Sequence, residues 1–441
     1  MKIKPHWQIL LSLTLATVLA FLFRGLKNED GSIPGIVNGA IMTFEMIGEI
    51  FLNLLKMIIV PLVVSSVIAG ITSLHGVKGF GRLLGKTAGF YALTSLLAIC
   101  LGLLLVNLIE PGLSNGLPNE SIREAFEQHE ASDAEKMKVS SAQNESGEQE
   151  GFFKQLSGFF LRMVPTNIVS AAAQNGQMLG LIFFAILFAI AMTRLDRDQV
   201  APLRDLFTSL NDVMIVLTQA IMRLAPIGVF ALIVPVVFKV GGELYLSLGK
   251  YFITVLLALG LHLFVVMPLV IKILAGVSPL AHFRAMRTAL LTAFSTASSS
   301  ATLPVTMRCI QENAGVSKAT ASFTLPLGAT VNMDGTALYE CVAVIFVAQV
   351  MGIDLPMAAQ FMIVISALLT SVGVAGIPSA SLVAIMIILT SSKIPGAETA
   401  VIALLAVDRL LDMCRTAVNV FGDSCAALVV AKSEGENVLS S

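Results

Sequence analysis

The chain has 441 residues, of which 56% are hydrophobic and only 13% are charged, and its formal net charge is −1. Its mean hydropathy is +0.85, whereas about 25% of the residues of an ordinary soluble chain are charged. Several apolar runs exceed the roughly 20 residues that cross a bilayer as a helix. The composition therefore predicts a polytopic α-helical membrane protein, and the lack of a basic excess argues against nucleic-acid binding.

Cysteine and histidine residues show no pattern typical of a disulfide framework or a metal site. No cysteine belongs to a CxxC pair, and the histidines lack metal-ligand spacing. We interpret the cysteines as reduced, small hydrophobic residues. The N-terminal apolar run that ends at Phe23 is a candidate signal peptide, but no clear cleavage site follows it. A retained first helix is therefore favoured.

Six apolar segments in the first part of the chain are predicted to be membrane spans. They cover residues 7–23, 41–74, 87–108, 153–192, 206–237 and 245–274. Lysine and arginine residues lie near the N-terminus and between the second and third segments, which predicts that these ends are cytoplasmic. Residues 110–150 are rich in Glu, Ser, Asn and Gly, and they predict a solvated loop on the outer side.

Two later segments are each interrupted by small and polar residues. One covers 288–309 around STASSSATLP, and the other covers 361–389 around TSVGVAGIPSAS. Their apolar flanks are too short to cross a bilayer, which predicts re-entrant half-helices. They bracket a span at 324–351 that is itself interrupted by polar residues. Paired interrupted segments indicate the binding site of a transporter, because irregular backbone at membrane depth must line a cavity or be buried in protein.

The last apolar helix, predicted at 399–431, has one strongly polar face. Six polar side chains fall within a wedge of roughly 100° around this helix. Ionisable groups inside a membrane are costly and mark a functional site unless they form a structural ion-pair network. The six residues are Asp408, Asp412, Arg415, Thr416, Asn419 and Asp423.

Four motifs resemble those of the glutamate transporter family, the dicarboxylate/amino acid:cation symporters. They are SSSATLP at 298–304, NMDGTALYE at 332–340, GVAGIPSAS at 373–381 and DMCRTAVNVFGD at 412–423. The resemblance implies an all-α membrane protein with eight transmembrane helices and two re-entrant helical hairpins, assembled as a homotrimer in the cell membrane. It also implies an elevator mechanism, in which a transport domain moves against a scaffold.

The resemblance divides the chain into segments. Residues 1–75 and 153–243 correspond to the scaffold, and residues 76–109 and 244–432 correspond to the transport domain. Residues 110–152 form the extracytoplasmic polar loop, and residues 433–441 form a cytoplasmic tail.

An acidic amino acid needs partners for its ammonium and for two carboxylates. Asp412 can accept from the α-ammonium, while the planar guanidinium of Arg415 can hold the side-chain carboxylate in a bidentate fork. Asp408 is expected to orient Arg415. The predicted substrate-binding residues are Ser298, Ser299, Ser300, Met333, Thr336, Ile377, Ser381, Asp412, Arg415, Thr416 and Asn419. These residues favour L-glutamate or L-aspartate as the substrate, carried into the cell.

The resemblance also implies that Na⁺ is co-transported. One implied cation site uses Asp423 with carbonyls of Gly328, Asn332 and Asn419. A second uses Thr330 with carbonyls around Ser371, Val372 and Val374. A third uses Tyr91, Thr94, Ser95, Asn332 and Asp334. Without the motifs, the three polar residues of the third span would be interpreted as ordinary interhelical hydrogen-bonding groups.

Glu340 is a candidate proton carrier. A carboxylic acid in a low-dielectric site favours its protonated form, and proton-coupled relatives carry a glutamate at the matching position. We therefore expect Glu340 to carry a co-transported H⁺. The alternative is a hydrogen-bonded structural carboxylic acid.

The sequence departs from its relatives at three positions. Ala297 and Met413 occupy positions where many relatives have a second arginine, and Ser381 stands where a glycine is common. Arg415 is therefore expected to be the only arginine of the substrate site.

Three other functions are alternatives to an acidic amino acid symporter. A C4-dicarboxylate or neutral amino acid symporter of the same family is the main alternative, and a channel lined by the charged face is another. An intramembrane serine protease is disfavoured, because no base is suggested beside the serine run. We therefore expect a transporter rather than an enzyme.

Overall fold

The helices follow the apolar segments of the sequence, and they leave the charged face of the last helix in the interior. In a computed structural model, the described residues are 5–26, 33–72, 80–114, 116–118, 120, 123, 161, 163–173, 178–373, 380–392, 394 and 396–439.

The first part of the chain contains seven described helices and one short hairpin. The helices are α1 (Pro5–Gly25), α2 (Gly35–Thr72), α3 (Phe80–Ile109), α4 (Ile168–Ala173), α5 (Met178–Met192), α6 (Arg197–Met222) and α7 (Ala225–Val240). Strands β1 (Leu113–Ser114) and β2 (Leu117–Pro118) pair antiparallel at the start of the predicted outer loop. Most of that loop lies outside the described residues, so its predicted solvation stays a prediction.

The second part of the chain carries the interrupted segments. Its helices are α8 (Glu243–Leu261), α9 (Met267–Ala275), α10 (Pro279–Thr296), α11 (Ser299–Glu312), α12 (Lys318–Val331), α13 (Asp334–Val350), α14 (Met357–Gly373), α15 (Ala380–Ser391) and α16 (Ala397–Ser433). A π-helical turn at His262–Val266 joins α8 to α9. Pro268 follows this turn and lacks the backbone N–H that a regular α-helix would use there.

Helix α2 packs against α6 and α7, and α1 packs against α7. Helices α6 and α7 meet at an angle of 54°. The bend lies beside Pro226, which is in the first turn of α7 and cannot continue the hydrogen-bond ladder of α6.

The second group of helices consists of α3 and α8–α16. Helix α13 lies at its centre and packs against α3, α14 and α16. All its side chains from Asp334 to Ala348 are buried. A helix that is apolar on every side is stable only when other helices surround it. The polar residues of α13 are therefore enclosed by protein.

Helices α10 and α11 form a helical hairpin whose tip lies at Ala297 and Ser298. Ala297 adopts a left-handed conformation (φ 50°, ψ 39°), which stops α10. The Ser298 side chain then accepts a hydrogen bond of 3.2 Å from the N–H of Ala301 and caps α11. The predicted tip is thus in the serine-rich run, but α10 begins at Pro279 rather than near residue 288.

The predicted interruption of the next span is also present, because only Asn332 and Met333 separate α12 from α13. Helices α14 and α15 pack together. Their predicted tip, residues 374–379, lies outside the described residues.

Among the described residues, four helical stretches are long and apolar enough to cross a membrane, and the bent α6–α7 pair makes a fifth. The four are Gly35–Thr72, Arg82–Ile109, Tyr245–Ala275 and Lys318–Val350. Helix α16 is long enough, but its charged face lowers its apolarity. The apolar helices fit a multi-pass membrane protein, and the count of eight spans stays a prediction.

The segment after α16 folds back onto the second group of helices, and we call residues 434–439 the C-terminal clasp. Glu434 forms ion pairs with Arg82 and with Lys86, the latter at 2.6 Å. The Lys86 hydrogen bond and the two positive charges hold the pKa of Glu434 below its ordinary value. The clasp therefore joins the start of α3 to the end of α16.

The same clasp caps α12. Glu436 accepts hydrogen bonds from the N–H of Ser317 at 2.7 Å and from the hydroxyl of Thr320 at 2.5 Å. Partial burial opposes ionisation of Glu436, but these hydrogen bonds lower its pKa overall. The N–H of Leu439 donates to the carbonyl of Ala314 at 3.1 Å. The base of the α10–α11 hairpin is thereby tied to the clasp.

Candidate functional site

Buried charges of α16 form the centre of the candidate site. Arg415 donates through Nη2 to Oδ1 of Asp412 at 2.5 Å, and its Nη1 lies 3.5 Å from Oδ1 of Asp408. The Tyr339 hydroxyl donates to the same Asp408 oxygen at 3.0 Å, and the guanidinium carbon of Arg415 lies 4.3 Å from the centre of the Tyr339 ring. Two carboxylates and one aromatic ring therefore fix the plane of this guanidinium.

The next turn of α16 joins the broken span. The Asn419 side chain accepts from the N–H of Gly335 at 2.8 Å and donates to the hydroxyl of Thr336 at 3.1 Å. The Thr416 hydroxyl donates to the carbonyl of Asp412 at 2.8 Å. Asn419 and Thr336 are thus brought together, whereas the Thr416 hydroxyl bonds within its own helix.

Other predicted substrate residues lie on the hairpin tip, at the break between α12 and α13, and on α15. Ser299 is buried, while Ser298 and Ser300 are partly exposed. Met333 is buried, and Ser381 is buried with a hydroxyl that has no hydrogen-bond partner among the described residues. Ile377 lies outside the described residues.

Asp334 and two residues of α3 form the first polar group of candidate cation ligands. Oδ1 of Asp334 accepts hydrogen bonds from Ser95 at 2.7 Å and from Thr94 at 3.2 Å. Oδ2 of Asp334 is buried and has no hydrogen-bond partner within the described part of the chain. A buried carboxylate oxygen is expensive unless it is paired with a proton, a donor or a cation. This oxygen therefore fits the oxygen-rich ligand set that a hard cation such as Na⁺ requires.

Asp423 and Asn332 form a second polar group of candidate cation ligands. Asn332 donates through Nδ2 to Oδ1 of Asp423 at 3.0 Å, and its own Oδ1 has no partner among the described residues. A Cβ added at Gly328 would lie 2.4 Å from Oδ1 of Asp423 and 2.6 Å from the Tyr91 hydroxyl. Glycine at position 328 therefore lets the backbone of α12 approach Asp423 closely.

Tyr91 links the two groups of candidate cation ligands to the backbone of α12. Its hydroxyl donates to the carbonyl of Thr324 at 2.9 Å. The hydroxyl is also beside Gly328, because a Cβ added at this glycine would lie 2.6 Å from it. Tyr91, Thr94 and Ser95 thus face the broken span from one side of α3.

The predicted second cation site is described only in part. The Thr330 hydroxyl bonds to carbonyls of its own helix and lies beside Gly70 of α2, where an added Cβ would be 2.7 Å from it. The Ser371 hydroxyl donates to the carbonyl of Leu368 at 2.9 Å. Val372 belongs to the last turn of α14, and Val374 lies outside the described residues.

Glu340 lies in the buried middle of α13. Its Oε2 accepts a hydrogen bond of 2.7 Å from the hydroxyl of Thr370 on α14. Its Oε1 has no partner among the described residues. The surroundings offer this oxygen no fixed donor, which suits a carboxyl group that carries its own proton.

The sequence model of the sodium:dicarboxylate symporter family matches residues 6–433. The chain belongs to the sodium:dicarboxylate symporter family. The resemblance that the four motifs carry is therefore confirmed, and this family consists of transporters rather than enzymes.

Several transport proteins are similar to this symporter-family chain over almost its whole length. The proton/sodium-glutamate symport protein of Geobacillus stearothermophilus is 35% identical over 436 residues, which cover 99% of this chain and 96% of that protein. The proton/glutamate-aspartate symporter of Escherichia coli (strain K12) is 35% identical, with coverages of 98% and 93%. Excitatory amino acid transporter 3 of Homo sapiens is 34% identical, with coverages of 98% and 86%.

A second arginine lies near the predicted substrate residues of this symporter-family site, since Nη1 of Arg409 lies 3.6 Å from Oδ2 of Asp412. That Arg415 is the only arginine of the substrate site itself stays a prediction. The signal was present in the sequence, since residues three apart on a helix share a face. The positions at which many relatives have a second arginine are Ala297 and Met413 here, and neither position points to Arg409.

His262 is a further buried polar residue that the sequence analysis did not single out. Its Nε2 lies 3.6 Å from Oδ2 of Asp334, and neither ring nitrogen has a hydrogen-bond partner among the described residues. Only the three-dimensional packing of the π-helical turn brings it there. No spacing in the sequence pairs these two residues.

One serine–histidine pair is present, but it lacks access to a substrate. The His282 ring nitrogen Nε2 lies 2.9 Å from the Ser424 hydroxyl, and both side chains are fully buried. The predicted serine run is elsewhere, on the tip between α10 and α11. The pair therefore fits a structural hydrogen bond between α10 and α16.

Proposed function

We propose that this chain is a secondary active symporter that carries L-glutamate or L-aspartate into the cell, driven by gradients of Na⁺ and of H⁺. The observation that carries the proposal is the buried Arg415, which two carboxylates and an aromatic ring hold in place. A fixed guanidinium in a site with little water selects a substrate with a second carboxylate. The names of the three relatives above support the same substrate class.

In this proposal, Asp412 binds the α-ammonium of the substrate and Arg415 binds its side-chain carboxylate. Hydroxyls and backbone N–H groups at Ser298, Ser299 and Ser300 bind the α-carboxylate, with help from Asn419. The start of α11 suits this role, because the N-terminus of a helix presents free N–H groups and a partial positive charge.

The cations take the two polar groups described above. Asp334 with Thr94, Ser95 and Tyr91 binds one Na⁺, and its buried Oδ2, which has no hydrogen-bond partner among the described residues, supports this role. Asp423 with Asn332 and the carbonyl of Gly328 binds another. Na⁺ in these positions brings positive charge next to the break in the α12–α13 span, which lies beside the substrate residues. Substrate and cation then stabilise one another, and this is the physical basis of coupled transport.

Glu340 carries the co-transported proton in this proposal. A protonated carboxyl group is a donor as well as an acceptor, and it crosses a bilayer without the cost of a buried charge. The hydrogen bond from Thr370 supports the role, since it leaves Oε1 available for the proton.

The assembly is part of the proposal. We assign α1, α2, α4–α7 to a trimeric scaffold, and α3 with α8–α16 to a transport domain that moves across the membrane as an elevator. The packing of α2 on α6 and α7, of α1 on α7, and of α3 on α13 supports this division.

Titration calorimetry with the purified protein tests the proposal. We expect aspartate or glutamate to bind only in the presence of Na⁺, and serine and succinate to bind weakly. A protein that binds succinate but not aspartate is a C4-dicarboxylate carrier, and one that prefers serine is a neutral amino acid carrier. Na⁺-driven, saturable uptake by proteoliposomes separates a symporter from a channel.

A further inference from the structure

Asp412 lies between two arginines on the same helix. Arg409 comes three residues before it and Arg415 three residues after it, so both side chains can reach it from adjacent turns of α16. Nη2 of Arg415 is 2.5 Å from Oδ1, and Nη1 of Arg409 is 3.6 Å from Oδ2. Each carboxylate oxygen therefore has its own guanidinium.

Arg409 and Asp412 are both largely removed from solvent. The side chain of Arg409 is 13% exposed, and that of Asp412 is 4% exposed. The Nε–H of Arg409 is buried and has no hydrogen-bond partner among the described residues. A desolvated cation of this kind interacts strongly with a carboxylate nearby.

The local charge balance needs a second cation. Asp408 and Asp412 carry two negative charges, and Arg415 carries one positive charge, so Arg409 makes this cluster neutral. When the substrate carboxylate takes Arg415, Asp412 loses the partner on Oδ1. The cation on Oδ2 then keeps Asp412 charged and holds its carboxylate plane.

We propose that Arg409 is a positioning residue that presents Oδ1 of Asp412 to the ammonium group of the substrate, and so selects amino acids over dicarboxylates that lack an amine. This inference rests on the proposed function. Arg409 does not contact the substrate. It acts through Asp412, and its effect is confined to the ammonium end of the substrate.

The comparison of aspartate with succinate isolates this effect, because the two molecules have the same carbon chain and the same two carboxylates. Binding of each is measured by titration calorimetry at saturating Na⁺ with the wild-type protein, Arg409→Gln and Arg409→Lys. Arg204→Gln is the matched control, because Arg204 also donates to a neighbouring carboxylate, Asp205, at 3.0 and 3.1 Å, but on α6.

We expect Arg409→Gln to weaken aspartate binding by about tenfold or more, whereas succinate binding changes by less than about threefold. Arg409→Lys restores part of the preference, because it keeps the charge but not the planar geometry. Arg204→Gln leaves both affinities unchanged.

Two outcomes overturn the inference in distinguishable ways. If the wild-type protein does not prefer aspartate to succinate, the proposed function and this inference fail together. If the wild-type protein prefers aspartate and both Arg409 variants keep that ratio, or weaken both ligands equally, then Arg409 is a structural ion-pair partner only. Should Arg409→Gln fail to fold, the ratio measured for Arg409→Lys decides.

Discussion

Arg415 and Asp412 are hydrogen-bonded to each other at 2.5 Å, although the proposed function assigns them to opposite ends of the substrate. A zwitterion with an acidic side chain can replace both halves of this ion pair at once. Its side-chain carboxylate takes the place of Asp412 on the guanidinium, and its ammonium takes the place of Arg415 on the carboxylate. The exchange replaces one ion pair by two, so neither buried charge is left alone.

Arg415→Cys should therefore lose acidic substrates. We expect aspartate affinity to fall by at least about 30-fold, because a buried charge pair that loses one partner costs about 2 kcal/mol or more. Neutral amino acids such as serine should bind better than they do to the wild-type protein. Titration calorimetry with both ligands measures the change. Normal aspartate binding by Arg415→Cys would show that the side-chain carboxylate has another partner.

Gly328→Ala should impair Na⁺ binding. The added Cβ would lie 2.4 Å from Oδ1 of Asp423, so this carboxylate must move away from the backbone of α12. We expect the Na⁺ concentration for half-maximal aspartate binding to rise by about tenfold, which corresponds to about 1.4 kcal/mol.

The matched control for Gly328→Ala is Gly249→Ala on α8, where an added Cβ meets nothing within 4 Å. This control should keep the wild-type Na⁺ dependence and gain up to about 1 kcal/mol of stability, because alanine favours a helix over glycine. Equal Na⁺ dependence in the two variants would remove Gly328 from the cation site.

Glu340→Gln should uncouple transport from protons. Glutamine cannot take up or release a proton, but it can still accept the hydrogen bond from Thr370. We expect Na⁺-driven uptake into proteoliposomes to persist and to lose its dependence on pH. Thr370→Val keeps the carboxyl group and should keep the pH dependence. Unchanged proton coupling in Glu340→Gln would sink the assignment.

The C-terminal clasp should loosen in acid. The pKa values of Glu434 and Glu436 are both lowered from their ordinary value of 4.5, so the ionised clasp stabilises the fold above that pH. This stabilisation is lost as the pH falls through the lowered values. The protection factors for hydrogen exchange at the start of α12, corrected for the intrinsic exchange rate at each pH, should therefore fall in acid in the wild-type protein.

The double variant Glu434→Gln/Glu436→Gln tests the clasp at neutral pH. It should show fast exchange at the start of α12 at pH 7 and little further change in acid. Glu45→Gln is the control, since Glu45 pairs with Lys239 at 3.1 Å on a different part of the surface. If the double variant exchanged as slowly as this control at pH 7, the clasp would not hold α12.

Much of the architecture could be predicted from apolar runs, because the length of a span and the polar face of α16 are local properties of the sequence. The start of α10 could not. Arg284 and Arg287 are exposed on a helix whose other face is buried, and they interrupt the apolar residues of its first turns. The continuous apolar run therefore begins after the helix does.

The candidate site was predicted mainly through the family motifs, and its distances depend on tertiary packing. Nothing in the sequence places His262 beside Asp334, because a π-helical turn and two packed helices bring them together. Arg409 is a different case. Its spacing of three residues from Asp412 is apparent in the sequence, but Arg409 lies outside the four family motifs.

The clasp has a consequence for how the protein is made. Arg82 and Glu434 are separated by 352 positions in the chain, and residues 434–439 leave the ribosome after every helix described above. The contacts that join the clasp to α3, to α12 and to the base of the α10–α11 hairpin can therefore form only after every one of these helices has been synthesised.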